Sequence, residues 1–274
     1  MDRPGAASHC DANGARFPFR DILVARTHEP LADAAATLVA RALAERLGDG
    51  AVIRAEDEVL ERHAGHAALA VVGTPRRRRP APMTGGDPSA LANRLRVPIV
   101  VVPQHCAGAE LRGVRSIVCG VRDGSDVTSV AAMGALADAL DLQLVLIHVW
   151  EQAQLSAVGP FLVPPAAFAE ATPQDRAAAR ELLGAVARRA GRTAPGAACP
   201  RVIEGPPGEL LCGAGRDYHA ALIAVTASRR GPVASAFLGG AARHVARHAD
   251  RPLLVCPTDL HPALGVALRN ASGS

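Results

Sequence analysis

The chain has 274 residues, of which 49% are hydrophobic and only 3% aromatic, with a net charge of +4. That length allows one large domain or two small ones, each with enough apolar residues to bury a core. The charge is too mild to imply nucleic acid, no apolar run approaches the roughly 18 residues of a membrane span, and Met1–Phe19 lacks the apolar core of a signal peptide.

Residues 1–20 are rich in Gly, Ala and Arg and are expected to form a flexible tail. Asp21-Ile22-Leu23-Val24-Ala25 is an apolar run of strand length. Pro30 suits the first turn of a helix, where its missing N–H is not needed. Apolar residues then recur at helical spacing from Leu31 to Leu47, and Gly48 ends the helix. Val52-Ile53 reads as a short strand, Glu56 to His66 as a helix and Ala68 to Val72 as a buried strand. A Gly/Pro/Arg loop follows, then a short helix from Asp87 to Arg94 and a last strand from Ile99 to Val102.

Residues 104–115 carry no period and read as a linker. Ser116 to Val121 opens a second series of elements. Asp123-Gly124-Ser125 makes a turn, and Ser125 or Asp126 can cap a helix reaching Leu140. Leu142 to Val149 is a strand, 151–171 a loop, and Pro173 to Arg189 an Ala/Arg helix. Next come a strand at Arg201-Val202-Ile203, a helix from Pro207 to Gly215, and a strand from Ala221 to Thr226. A helix from Gly240 to His248 and a strand from Leu253 to Cys256 close the series, leaving 258–274 as a second flexible tail. Strands alternating with helices predict an α/β fold with a parallel sheet and right-handed crossovers. Ligands in such sheets sit beyond the carboxyl ends of the strands, which points to Val121–Ser125 and to the loop from Thr226 to Gly240.

The two series repeat each other. Gly85-Gly86, a helix and Val97-Pro98-Ile99-Val100-Val101-Val102-Pro103 match Gly239-Gly240, a helix and Arg251-Pro252-Leu253-Leu254-Val255-Cys256-Pro257, without a gap, 154 positions apart. The first strands, at Ile22 and Ile117, lie only 95 apart, so the first copy is 59 residues shorter in its middle. That is about one strand–helix unit plus a long loop, and a reduced first domain of four strands, 21–103, is expected before a full domain at 116–257. The last strands are uncharged and sit at sheet edges. Exposed apolar edges invite pairing, so Ile99–Val102 and Leu253–Cys256 are expected to pair with each other as an intramolecular pseudo-dimer.

With Ile117-Val118-Cys119-Gly120-Val121, Asp123-Gly124-Ser125, Gly205-x-Pro207, Leu222-Ile223-Ala224-Val225 and Gly239 through Pro257, the second copy resembles the universal stress protein family, and the whole chain its tandem form. The resemblance implies a Rossmann-like, adenine nucleotide alpha hydrolase-like parallel sheet of five strands, a cytoplasmic protein, and a part in stress survival; no Ser-His-Asp order, nucleophile elbow or paired-carboxylate constellation in the sequence specifies an enzyme. One branch of the family binds ATP through Gly-x2-Gly-x9-Gly-Ser/Thr; another does not. Glycines let the backbone close on phosphates, and the helix opened by the last pair holds anions at its N-terminus.

In the second copy that loop reads Thr226-x2-Arg229-x9-Gly239-Gly240, followed by Ala241; in the first it reads Gly73-x2-Arg76-x8-Gly85-Gly86. Forcing a non-Gly residue into left-handed geometry costs roughly 1–2 kcal/mol, whereas an arginine meeting a phosphate contributes about 1.5–3 kcal/mol. Asp123, with Val121 beside it, stands where the family places an Asp near the adenine, displaced by the extra Arg122; the first copy has Arg26-Thr27-His28 there. The leading reading is a non-enzymatic regulator or adaptor with degenerate nucleotide loops. The alternative is an ATP- or AMP-binding sensor using the second domain. A third reading, nucleic-acid contact through Arg76–Arg79, lacks the interleaved aromatics that base stacking needs. His244 and His248, four apart on a helix, have no third ligand spaced with them and read as surface histidines.

Overall fold

The computed structural model describes residues 21–26, 29–47, 51–74, 88–103, 106, 113–150, 172–192, 198–227, 240–262 and 264–265. The N-terminal segment 1–20, the Arg76–Arg79 run, most of the linker, the 151–171 loop and the chain beyond 265 lie outside them, as do the site residues Arg76, Gly85, Gly86, Arg229 and Gly239.

The first half runs β1 (Asp21–Ala25), α1 (Pro30–Leu47), β2 (Val52–Ala55), α2 (Asp57–His63), a 3-10 turn (Ala64–His66), β3 (Ala67–Thr74), α3 (Pro88–Leu95) and β4 (Ile99–Pro103). The second half runs β5 (Ser116–Gly120), a 3-10 turn (Gly124–Asp126), α4 (Val127–Ala139), β6 (Gln143–Trp150), α5 (Pro173–Arg189), β7 (Cys199–Glu204), α6 (Pro207–Asp217), β8 (Ala220–Ala227), α7 (Gly240–His248) and β9 (Leu253–Pro257). The helix expected over Glu56–His66 is broken in two, its last three residues tightening into the 3-10 turn through Gly65.

The nine strands among the described residues form one sheet, in the order β2-β1-β3-β4-β9-β8-β5-β6-β7. Each half is parallel within itself, and the two meet where β4 pairs antiparallel with β9. Superposing the halves in chain order matches β1 with β5, β2 with β6, β3 with β8 and β4 with β9. The second half's α5 and β7 have no counterpart in the first, and they account for the shorter first copy. β7 takes the outer edge and carries Pro200, a residue tolerated at a sheet edge because it cannot donate to a further strand.

Strands at the middle of the sheet are apolar along their whole length. β4 and β9 are buried at every residue and β3 at all but its last, as expected when helices cover both faces. One continuous core results, running from Ile22 to Leu264. The C-terminal segment, read from sequence as a tail from 258, is packed over its first part: Leu260 and Leu264 are buried. Its anchor is the first half, a long-range contact that no local pattern announces.

Candidate functional site

The carboxyl ends of β5 and β8 bring Val121, Asp123 and Thr226 to the same end of the sheet. Val121 is buried; its N–H donates to the Ile147 carbonyl (2.8 Å), and its own carbonyl meets Nδ1 of His148 at 3.0 Å. His148, on β6, therefore fixes the end of β5, a role its place inside an apolar strand did not signal.

Arg122, the extra residue, is absorbed by a capping box. Asp123 accepts the Ser125 N–H (2.8 Å) and the Ser125 hydroxyl, while Asp126 reaches back to the N–H groups of Arg122 (2.8 Å) and Asp123 (3.3 Å). Asp123 thus caps the 3-10 turn, while Asp126 holds the N-cap position of α4 without a side-chain capping bond, its carboxylate reaching back instead; Ser125 caps neither. The Asp-x-x-Asp spacing before an apolar helix carries this signal in the sequence. The two hydrogen bonds from Ser125, with the Arg122 guanidinium 3.3 Å away, hold the Asp123 carboxyl below its usual range. Asp123 is accordingly engaged in local structure where the family resemblance assigns it to a base.

Asp126 is fully buried, and its Oδ1 has no hydrogen-bond partner among the described residues. Beside it, burial raises the thiol pKa of Cys119 and pushes that of Cys256 up to about 12, with the Asp126 charge adding to both. These cysteines behave as small apolar side chains, and Cys119, Cys199, Cys212 and Cys256 are free thiols. Ser129 ties α4 to the end of β9, its hydroxyl donating to the Pro257 carbonyl at 3.1 Å.

Strand registers settle which residues of the two loops correspond. Gly73 stands opposite Val102, and Thr226 opposite Cys256, so the two open their loops at equivalent points. At Gly73 a Cβ would lie 2.1 Å from the Ala32 carbonyl oxygen. The glycine there is required by the approach of β3 to the start of α1, whether or not a phosphate is present. Gly240 opens α7 with no described residue within 4 Å of an added Cβ, and Ala241 follows it half-buried. In the first half, the position matching Val121 is Arg26, whose N–H donates to Ala55 as Val121 donates to Ile147, and whose side chain lies 3.6 Å from Glu56.

The Universal stress protein family profile matches residues 113–257. The chain belongs to the universal stress protein family. No curated protein sequence matches it. Among solved structures, a functionally unknown protein from Pseudomonas aeruginosa PAO1 is similar over 96% of this chain and 100% of its own, at 15% identity and a TM-score of 0.52. A universal stress protein from Archaeoglobus fulgidus DSM 4304 covers 88% of this chain with 100% of its own, at 12% identity and a TM-score of 0.51. A universal stress protein in complex with cAMP covers 53% of this chain with 97% of its own, at 20% identity, and its TM-score of 0.37 is too low to bear on ligands here. The second of these likenesses, to a universal stress protein, is one of fold and spans most of this chain, the first half included.

Other features of this universal stress protein do not build a second chemical centre. Among the described residues there is no group of three His, Cys, Asp or Glu side chains that could hold a metal ion. His244 and His248 stack with ring centroids 4.3 Å apart, and His248 Nδ1 meets the His244 carbonyl at 3.0 Å. No helix among the described residues is long and apolar enough to cross a membrane.

Proposed function

We propose that this universal stress protein acts in the cytoplasm as a non-enzymatic stress-response regulator or adaptor, a fused pair of universal stress domains whose nucleotide loops have degenerated. The observation that carries this reading is the state of the second-half site. Asp123 caps its own turn, Thr226 and Arg229 stand where backbone-exposing glycines are needed, and Gly240 replaces the hydroxyl residue that would open the helix. In the first half, Gly73 is explained by the close approach of Ala32. The fused joint between β4 and β9 supports the adaptor reading, because it holds two copies of one surface in fixed relation.

A second reading, an ATP- or AMP-binding sensor, is favoured by one feature: α7 opens at Gly240 with no described residue within 4 Å of an added Cβ, and a helix start of this kind suits an anion. Equilibrium binding of labelled ATP to the full chain separates the two. Affinity weaker than about 1 mM supports the regulator. Micromolar binding that Gly239→Asp abolishes overturns it in favour of the sensor.

A further inference from the structure

Once β9 ends, the chain crosses from the second half to the first and is fastened there at the end of α3. The Arg96 guanidinium donates to Asp259 Oδ1 at 2.6 Å and to the Leu260 carbonyl at 3.2 Å, and the His261 N–H donates to the Arg96 carbonyl at 2.6 Å. Arg96 takes a left-handed conformation (φ 58°) at the end of α3, which turns both its carbonyl and its side chain toward the crossing segment. Leu260 and Leu264 are buried on either side, and the Gly265 N–H closes a turn onto the His261 carbonyl. The His261 ring rests on Gly65, where even a methyl group would come within 2.9 Å of Cε1.

We infer that residues 259–265 form a pH-sensitive clasp that fastens the two halves of the chain together at neutral pH and lets go when His261 is protonated. The ring's Nδ1 is buried and has no hydrogen-bond partner among the described residues. A neutral ring tolerates this as an unused lone pair; an imidazolium would carry an N–H there with nothing to receive it. The charged groups that act on the ring are Arg96 at the end of α3 and His66 on the 3-10 turn; Asp259, on the ring's own segment, is paired with Arg96. Burial first, then the charges of Arg96 and His66, hold the imidazole below its usual pKa. The docked segment therefore favours the neutral ring, while the undocked segment takes up a proton at the ordinary value. Docking is at full strength above the ordinary histidine range and weakens as pH falls through it toward the docked value. Release uncovers Leu260, Leu264 and the first-half surface beneath them, a surface that only acidification would expose.

The test is hydrogen exchange read by mass spectrometry on the full chain at about pH 7.5 and about pH 5.5, corrected for the intrinsic pH dependence of exchange. Peptides covering 259–265 are expected to exchange at least about threefold faster at the lower pH, while peptides covering β4 and β9 keep their protection and verify the fold. His261→Gln, which cannot titrate, is expected to show the same protection at both values. Arg96→Ala is expected to exchange fast at both. Equal protection of the wild-type segment at the two values, or a pH response retained by His261→Gln, overturns the clasp.

Discussion

Val100 of β4 faces Leu254 of β9 at the centre of the antiparallel joint, and the two are repeat counterparts, 154 positions apart. The flanking pairs cross symmetrically about this one: Ile99 faces Val255, the counterpart of Val101, and Val101 faces Leu253, the counterpart of Ile99. A residue that faces its own equivalent marks a two-fold axis, the arrangement of an isologous dimer interface. Here both sides of that interface belong to one chain. Both residues are fully buried. Leu254→Ala should cost about 2–5 kcal/mol in chemical denaturation, and Leu254→Asp more, because it buries an unpaired charge at the joint. Since one core spans the joint, both substitutions should leave a single unfolding transition. Two resolved transitions would show that the halves unfold independently.

Gly73 offers a contrast with Gly124. A methyl group at Gly73 collides with the Ala32 backbone, whereas one at Gly124 meets no described residue within 4 Å. Gly73→Ala should therefore destabilise by at least about 1–3 kcal/mol, while Gly124→Ala changes stability by only a few tenths. Thermal or denaturant melts of the two variants decide the matter, and a neutral Gly73→Ala would remove the packing explanation for that glycine.

The capping box before α4 predicts an acid response. A carboxylate held below its usual pKa stabilises the fold above the ordinary Asp value of about 3.9 and loses that contribution as pH falls through the lower folded value. Asp123 is such a group, through Ser125 first and Arg122 second. Asp123→Asn and Ser125→Ala should each flatten the fall of stability below about pH 4. An unchanged acid limb in both variants would show that the Asp123–Ser125 contact does not persist in solution.

Thiol reactivity should follow burial. Cys119 and Cys256 are fully buried with raised pKa values, while Cys199 sits half-buried at the β7 edge. Alkylation of the native protein followed by peptide mapping should label Cys199 well before Cys119 or Cys256. Early labelling of Cys119 would mean that β5 opens readily.

Much of the fold is legible in the sequence because apolar runs between prolines leave little freedom. α7 begins and ends at the residues its spacing predicts, and β4 and β9 extend the predicted strands by one proline each. The unmatched strand–helix unit in the second half follows from the two repeat offsets alone. Less legible are features decided by contacts across the sheet. β3 gains Ala67, Gly73 and Thr74, and β7 gains Cys199, Pro200 and Glu204, because pairing with a neighbouring strand overrides weak local preference. The docking of Leu260 and Leu264 depends on Arg96, more than 160 residues earlier in the chain. At the site, the correspondence of Gly73 with Thr226 is readable from the loop spacing and agrees with the strand register. The burial of Asp126 is not, since an Asp in a turn before a helix usually faces water.

The claim at the centre of this account is that the phosphate-gripping part of the family site has been lost while the paired strands have been kept. Calorimetric titration of ATP into the full chain tests it most directly, alongside a variant with the glycines and hydroxyl restored (Thr226→Gly, Arg229→Gly, Gly240→Ser). The account predicts no saturable binding by the wild type up to about 1 mM ATP and a measurable gain in the restored variant. Saturable micromolar binding by the wild type would contradict it.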